Sequence, residues 1–155
     1  MKERVIALGF FDGVHLGHGA LLRRAAEEAA LRGCTPAVFT FDRPPKEVVT
    51  GVPCPLINSP EDRRDLVRRL YRIQDVLMVP FDREMMTTPW DDFIVRILVG
   101  RYHAVHLVAG HDHHFGHRNQ GTPELLAQKC AQLGLGCDII PKVELEGVTV
   151  SSTYI

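Results

Sequence analysis

Short apolar runs alternate with helix-like stretches along nearly the whole chain, and this alternation restricts the fold more than any other feature. "RVIALGFF" (4–11) opens as a run suited to a buried strand. From Gly19 to Arg32, "GALLRRAAEEAALR" sets apolar residues at helical spacing among strong helix formers, and Gly33 stops it. "TPAVFTF" (35–41) reads as a second strand that leaves Asp42 at its end, and the proline-rich stretch 42–56 reads as a loop. "NSPEDRRDLVRRLY" (58–71) is a helix with Ser59 as N-cap, Pro60 at the first position and acids in the first turn.

The second half repeats the pattern. "DVLMVPF" (75–81) is strand-like, and "TPWDDFIVRILVG" (88–100) is expected to be a helix capped by Thr88 with Pro89 at its first position. "AVHLVAG" (104–110) is a strand that runs into the histidine-rich loop "HDHHFGHRNQG". "TPELLAQKCAQLG" (122–134) repeats the Thr-Pro helix start, "CDIIPKV" (137–143) is the next strand, and "GVTV" begins another before "SST" offers a further helix cap. Strands alternating with helices imply right-handed crossovers and a mainly parallel sheet covered on both faces. The expected class is α/β, a three-layer, Rossmann-like arrangement, with one domain over residues 1–155.

Composition narrows the function. Eighteen basic against nineteen acidic residues leave a formal charge of −1, which speaks against a general nucleic-acid or membrane-surface binder. Any phosphate site must therefore be local. Cys34, Cys54, Cys130 and Cys137 form no CxxC pair, so neither a zinc knuckle nor a redox dithiol is signalled. Unpaired thiols and short apolar runs lead to the expectation of a cytoplasmic domain without membrane or nucleic-acid partners.

In open parallel sheets, ligands sit off the carboxyl ends of the strands. Those ends fall at Gly9–Phe11, at Asp42, at Gly110–Asp112 and just before Ser151, and the unusual residues gather there. In "GFFDGVHLGH", Gly9, Gly13 and Gly17 permit tight turning and close approach of backbone to a ligand. The helix beginning there would point its free N–H groups and positive dipole end at an anion. His15 and His18 could donate to phosphate oxygens and stabilise charge on a leaving group. The plainer alternative is that one histidine caps the helix and the other fills a gap. His111, His113, His114 and His117 invite a metal hypothesis, but no spacing among them favours one helix face, and no metal site is assigned. The arginines of 58–71 read as a solvated helix face, and Trp90 as a packing anchor.

"HLGH" is a variant of the His-x-Gly-His signature of the nucleotidylyltransferase superfamily, and "GFFDGVHLGHGALL" resembles the bacterial FAD synthetase module, usually fused to a riboflavin kinase module. "TFDRPP" is similar to that family's Thr-Phe-Asp-Pro-His-Pro segment, "GHDHHFGHRNQGT" to its Gly-x-Asp-Phe-x-Phe-Gly loop, and "VSST" to its Ile-Ser-Ser-Thr motif. The resemblance implies that ATP and FMN give FAD and pyrophosphate with a magnesium ion, by direct in-line attack on the α-phosphate and without a covalent intermediate. It implies catalytic roles for His15, His18, Ser151, Ser152 and Thr153. Nucleotide binding would fall to Gly9, Phe10, Phe11, Asp12, Gly17 and Asp112. Flavin binding would fall to Phe41, Asp42, Arg43, Phe115 and Asn119.

Three departures from that pattern stand out. Arg43-Pro44 replaces the family's Pro-His, His113 replaces a Phe, and the chain ends at Ile155 where the family continues with an arginine. The expectation is a module shortened at its C-terminal end, with the kinase module absent from this chain. The rival readings are an adenylyltransferase for another phosphorylated acceptor, and a flavin- or nucleotide-binding module that has lost turnover.

Overall fold

The structure is a computed structural model that describes residues 3–9, 16–42, 60–111, 113–141, 143–145 and 148–150. Its centre is a five-stranded, all-parallel sheet. The strands are β1 (Arg4–Leu8), β2 (Thr35–Phe41), β3 (Asp75–Val79), β4 (Ala104–Gly110) and β5 (Gly136–Ile140), in the order β3-β2-β1-β4-β5. A separate antiparallel hairpin pairs β6 (Val143–Leu145) with β7 (Val148–Val150). The α/β expectation therefore holds.

Strand alternation divides the core in two. Val5, Ala7, Val38 and Val108 face a layer built from Leu21, Leu22, Ala25 and Ala29 of α1 (Leu16–Arg32) and Val67 of α2 (Pro60–Tyr71). Ile6, Leu8, Phe39, Leu107 and Ala109 face Phe93, Ile94, Ile97 and Leu98, with Leu126 and Cys130 of α5 (Pro123–Leu133) in the same layer. The period-two switch of side chains puts the central strands in contact with both layers, so the sheet is buried on both faces.

Several element boundaries differ from those expected. α1 starts at Leu16, three residues before Gly19, so the second histidine of "HLGH" lies inside its first turn. Gly33 ends it at φ 68°, a left-handed conformation that only glycine enters without strain, and Gly134 ends α5 in the same way at φ 74°. β3 stops at Val79, and behind it stands a short helix that no sequence pattern predicts, α3 (Arg83–Met86). Asp82 caps this helix by accepting from the Met85 amide at 2.9 Å.

The two Thr-Pro starts behave differently. Thr122 caps α5 as expected, accepting from the Leu125 amide at 3.2 Å. Thr88 does not cap the next helix, because its hydroxyl donates to the Glu84 carbonyl at 2.8 Å and closes α3 instead. Pro89 then takes the cap position of α4 (Trp90–Asp92), which widens at once into a π-helix over Phe93–Val99. Five-residue steps such as Gly100 N–H to Val95 O at 3.0 Å mark the widening. Phe93, Ile94, Ile97 and Leu98 of this segment are buried in the core against the sheet. The strand expected over 137–143 is divided between β5 and β6, and the expected Ser59 cap lies outside the described residues.

Charged side chains tie the strands together at their N-terminal side. Arg4 bonds Asp75 of β3 at 2.8 Å and the Tyr102 carbonyl at 2.9 Å. Nearer β5, His106 Nε2 meets Asp138 Oδ2 at 2.8 Å, Arg24 Nε donates to the same oxygen at 3.1 Å, and Glu28 takes Arg24 and Arg32 at 3.1 and 3.3 Å. Gly136 leaves room for His106, since a Cβ there would collide with its Nδ1. Partial burial pushes the Asp138 carboxyl up, but the Arg24 and His106 hydrogen bonds outweigh it and hold it below the usual carboxylate range.

Stability should respond to this network in two ways. A carboxyl depressed in the folded state stabilises above its unfolded value of about 3.9, and that stabilisation is lost as pH falls through the lower folded value. Asp138→Asn is expected to lower the melting temperature by a few degrees at pH 7. The gap to the parent protein should close below about pH 4, as read from thermal melts across that range. Gly136→Ala should cost about 1–3 kcal/mol in urea unfolding, because the added Cβ meets the buried His106 ring.

Candidate active site

The strand order reverses between β1 and β4. The chain leaves β1 for β2 and β3 on one side, while β4 and β5 extend the sheet on the other. At such a switch point the connections diverge and leave a crevice at the carboxyl ends of the two strands. Gly9 stands at one lip, with its amide donating to the Phe39 carbonyl at 3.3 Å. Gly110 and His111 stand at the other, where the His111 amide continues the ladder to the Ile140 carbonyl at 2.9 Å.

Gly17 and His18 lie in the first turn of α1, so the backbone there presents a helix N-terminus beside the β1 exit. That turn contains no acidic residue, in contrast to α3 with Glu84 and α5 with Glu124. A positive dipole end with no carboxylate of its own favours an external anion. α2 braces this turn: a Cβ at Gly19 would come within 2.7 Å of the Tyr71 hydroxyl. The side chains of Leu16–His18 lie outside the described residues, as do Phe10, Phe11, Asp12, His15, Arg43, Asp112, Ser151, Ser152 and Thr153. The hairpin that leads toward Ser151 touches α1 through β6.

Phe41 and Asp42 end β2 next to the crevice. The Phe41 ring packs on Phe39 at 5.5 Å and on Phe81 at 4.8 Å between centroids. The Asp42 amide donates to the Val79 carbonyl and its Oδ1 accepts from the Phe81 amide, both at 3.1 Å. Asp42 therefore ties the exit of β2 to that of β3.

The loop after β4 is folded back on itself. Phe115 and Gly121 exchange backbone hydrogen bonds at 3.2 and 2.8 Å. Phe115 is only 6% exposed and lies against Phe93 at 5.7 Å, so it belongs to the core. The His113 ring stacks on it at 5.8 Å and 15°. Asn119 is exposed at φ 53°, directly after Arg118 at φ 55°, two left-handed residues that make a tight turn. No motif signalled the partners of this loop, Thr88 and Trp90, because they come from a distant segment.

Among the described residues, the one group of side chains able to share a cation is Glu28, His106 and Asp138, not the histidine loop. Arg24 and Arg32 already neutralise both carboxylates, so this group is an ion-pair network. Cys130 and Cys137 lie together between α5 and β5. The neighbouring thiol and burial push Cys130 up, while Cys130 draws Cys137 down. Neither is at a strand's carboxyl end, so neither is placed as a nucleophile.

Comparison with known proteins agrees with this geometry. The family model described as FAD synthetase matches residues 1–154. Bifunctional riboflavin kinase/FMN adenylyltransferases are similar over almost the entire chain. That of Listeria monocytogenes is 32% identical over 99% of the chain, and that of Bacillus subtilis 31% over 99%, each match covering 48% of the relative. The chain thus spans about half the length of the curated relatives it matches. A crystal structure described as a macrolide-efflux protein from Streptococcus pneumoniae superposes with a TM-score of 0.82 at 26% identity, covering 99% of this chain and 49% of that one. That description belongs to the other protein, and no helix among the described residues is long and apolar enough to cross a membrane. With the family's model matched over residues 1–154 and the strand order reversing between β1 and β4, the chain belongs to the FAD synthetase family.

Proposed function

We propose that this module is an FMN adenylyltransferase, transferring AMP from ATP to FMN to give FAD and pyrophosphate. The observation that supports the proposal is that Leu16, Gly17 and His18 form the first turn of α1, the element that follows β1, and that this turn holds no acidic residue. The names of its relatives support the same reaction.

An FMN phosphate oxygen attacks the α-phosphorus of ATP. The bond from that phosphorus to the bridging oxygen breaks, and pyrophosphate leaves in line with the incoming oxygen. The main barrier is the mutual repulsion of crowded phosphates, so positioning and electrostatic stabilisation suffice. The α1 N-terminus, His15 and His18 take the triphosphate and stabilise charge as pyrophosphate departs. Ser151, Ser152 and Thr153 supply hydroxyls to the same phosphates, a role favoured by the contact of the preceding hairpin with α1. Gly9, Phe10, Phe11, Asp12, Gly17 and Asp112 enclose the nucleotide. Phe41, Asp42, Arg43 and Asn119 border the acceptor, with Phe115 acting from the core beneath His113.

Magnesium accompanies ATP in this reading and screens the phosphate charge. The Glu28–His106–Asp138 group does not fit it, being occupied by arginines and offering a nitrogen ligand. Magnesium prefers oxygens and keeps waters, so the triphosphate itself can be its main ligand. We further place the protein in the cytoplasm, where both substrates are present. A riboflavin kinase module in the same natural polypeptide would supply FMN, in line with the bifunctional relatives, of which this chain matches 48%.

The test is formation of FAD and pyrophosphate by the longest natural chain containing this module, given ATP, FMN and magnesium. FAD is expected, and His18→Ala should reduce kcat by about 10²–10³ with an unchanged circular dichroism spectrum. Absence of FAD from the parent protein would end the proposal. Faster turnover of another phosphorylated acceptor would reassign the substrate.

A further inference from the structure

Two thiols meet at the junction of α5 and β5, and the proposed adenylyl transfer uses neither. Cys130, in the last turn of α5, is 1% exposed, whereas Cys137, the second residue of β5, is partly exposed. Strand register fixes the side on which Cys137 stands. It pairs with Leu107 of β4, which belongs to the same core layer as Leu126 and Cys130 of α5. Asp138, the next residue, turns to the opposite face and meets Arg24 of α1. Leu126 and Cys130, four apart, share the helix face that covers the Cys137 side of the sheet. The thiols thus approach from helix and strand, and Cys130 donates a hydrogen bond to the Cys137 sulfur. The turn between them is tight: Gly134 is left-handed at φ 74°, and the Leu135 amide donates to the Cys130 carbonyl at 2.8 Å. Cys34, by contrast, packs against the other core layer.

We propose that Cys130 and Cys137 form a redox-sensitive modification site, closed to a disulfide by hydrogen peroxide and reopened by a dithiol. The two sulfurs have different parts in the step. The hydrogen bond from Cys130 draws the Cys137 thiol down, against burial and the Asp138 charge, which push it up. Cys137 is also the more exposed, so it supplies the thiolate. Its sulfur attacks one peroxide oxygen, the O–O bond breaks, and the departing hydroxide takes a proton to become water, leaving a sulfenic acid. The Cys130 sulfur then attacks the Cys137 sulfur and the S–O bond breaks. The Cys130 proton leaves with the hydroxyl as a second water. Two thiols and one hydrogen peroxide give one disulfide and two waters, and the ring so closed fixes the α5–β5 turn. This inference goes beyond the adenylyltransferase reading and does not depend on it, since the pair lies toward the start of β5 and away from that strand's carboxyl end.

The experiment treats the folded protein with hydrogen peroxide, alkylates the remaining thiols and maps the peptides without reduction. A cross-link between Cys130 and Cys137 is expected, and dithiothreitol should remove it. In Cys130→Ser, which keeps a hydrogen-bond donor beside Cys137, dimedone should trap a sulfenic acid at Cys137. In Cys137→Ser, Cys130 should be oxidised about tenfold more slowly than Cys137 is in Cys130→Ser. Alkylated Cys130 and Cys137 in a chain whose Cys34 is already oxidised would overturn the site, as would a cross-link that forms only after unfolding in urea. Equal rates in the two serine variants would overturn the order of attack. The parent map needs no variant and decides alone if either serine chain does not fold.

Discussion

Burial of β1 on both faces is the constraint on which the rest of the molecule depends. Val5, Ile6 and Ala7 are fully buried and Leu8 nearly so, with successive side chains entering opposite core layers. The strand pairs with β2 on one edge and β4 on the other, so its backbone polar groups are used up by the sheet. A strand held in this way has no freedom to slide, since a one-residue slip would exchange the two faces. Gly9, the first residue beyond it, is therefore placed with the precision of the core. The same holds for the first turn of α1, because Leu21, Leu22 and Ala25 of that helix are docked onto Val5 and Ala7.

This hierarchy explains which parts of the fold could be read from the sequence. The strands were legible because a doubly buried parallel strand leaves a compact apolar run between punctuating residues. Helix ends were legible where a local interaction decides them, as at Gly33, Gly134 and Thr122. They were not legible where two segments compete for one group. Thr88 carries the same Thr-Pro signature as Thr122, but its hydroxyl is captured by the Glu84 carbonyl of a short helix that no periodicity announced. The widening of Phe93–Val99 likewise carries no sequence signal, since Phe93, Ile94, Ile97 and Leu98 would share one face of a regular α-helix as well.

For the site, the sequence was informative where chemistry resides in backbone and glycine pattern, and less so where it resides in tertiary neighbours. The β1–α1 junction and the exits of β2 and β4 could be located because each combines a strand end with unusual residues. Phe115 reads from the sequence as a loop aromatic, and its burial against Phe93 and His113 is a tertiary feature that no spacing announces. The ion pairs of Arg24, Glu28, His106 and Asp138 join α1, β4 and β5, and nothing in their spacing marks them as neighbours.

Ionic ties supplement the backbone ladder away from the carboxyl ends of the strands: Arg4 pairs with Asp75 where β1 and β3 begin, and Arg24 and His106 meet Asp138 midway along β5. At the carboxyl side, the Gly9 amide meets Phe39, the Asp42 amide meets Val79 and the His111 amide meets Ile140, each through a backbone carbonyl. In the proposed adenylyl transfer, fixed carboxylates close to the phosphates would each add to the repulsion to be overcome. Backbone ties fix the lips of the crevice without adding net charge. They also leave the helix dipole of α1 as a standing positive potential for whatever anion arrives. Asp42, the carboxylate that follows β2, has an oxygen held by the Phe81 amide at the β2–β3 junction.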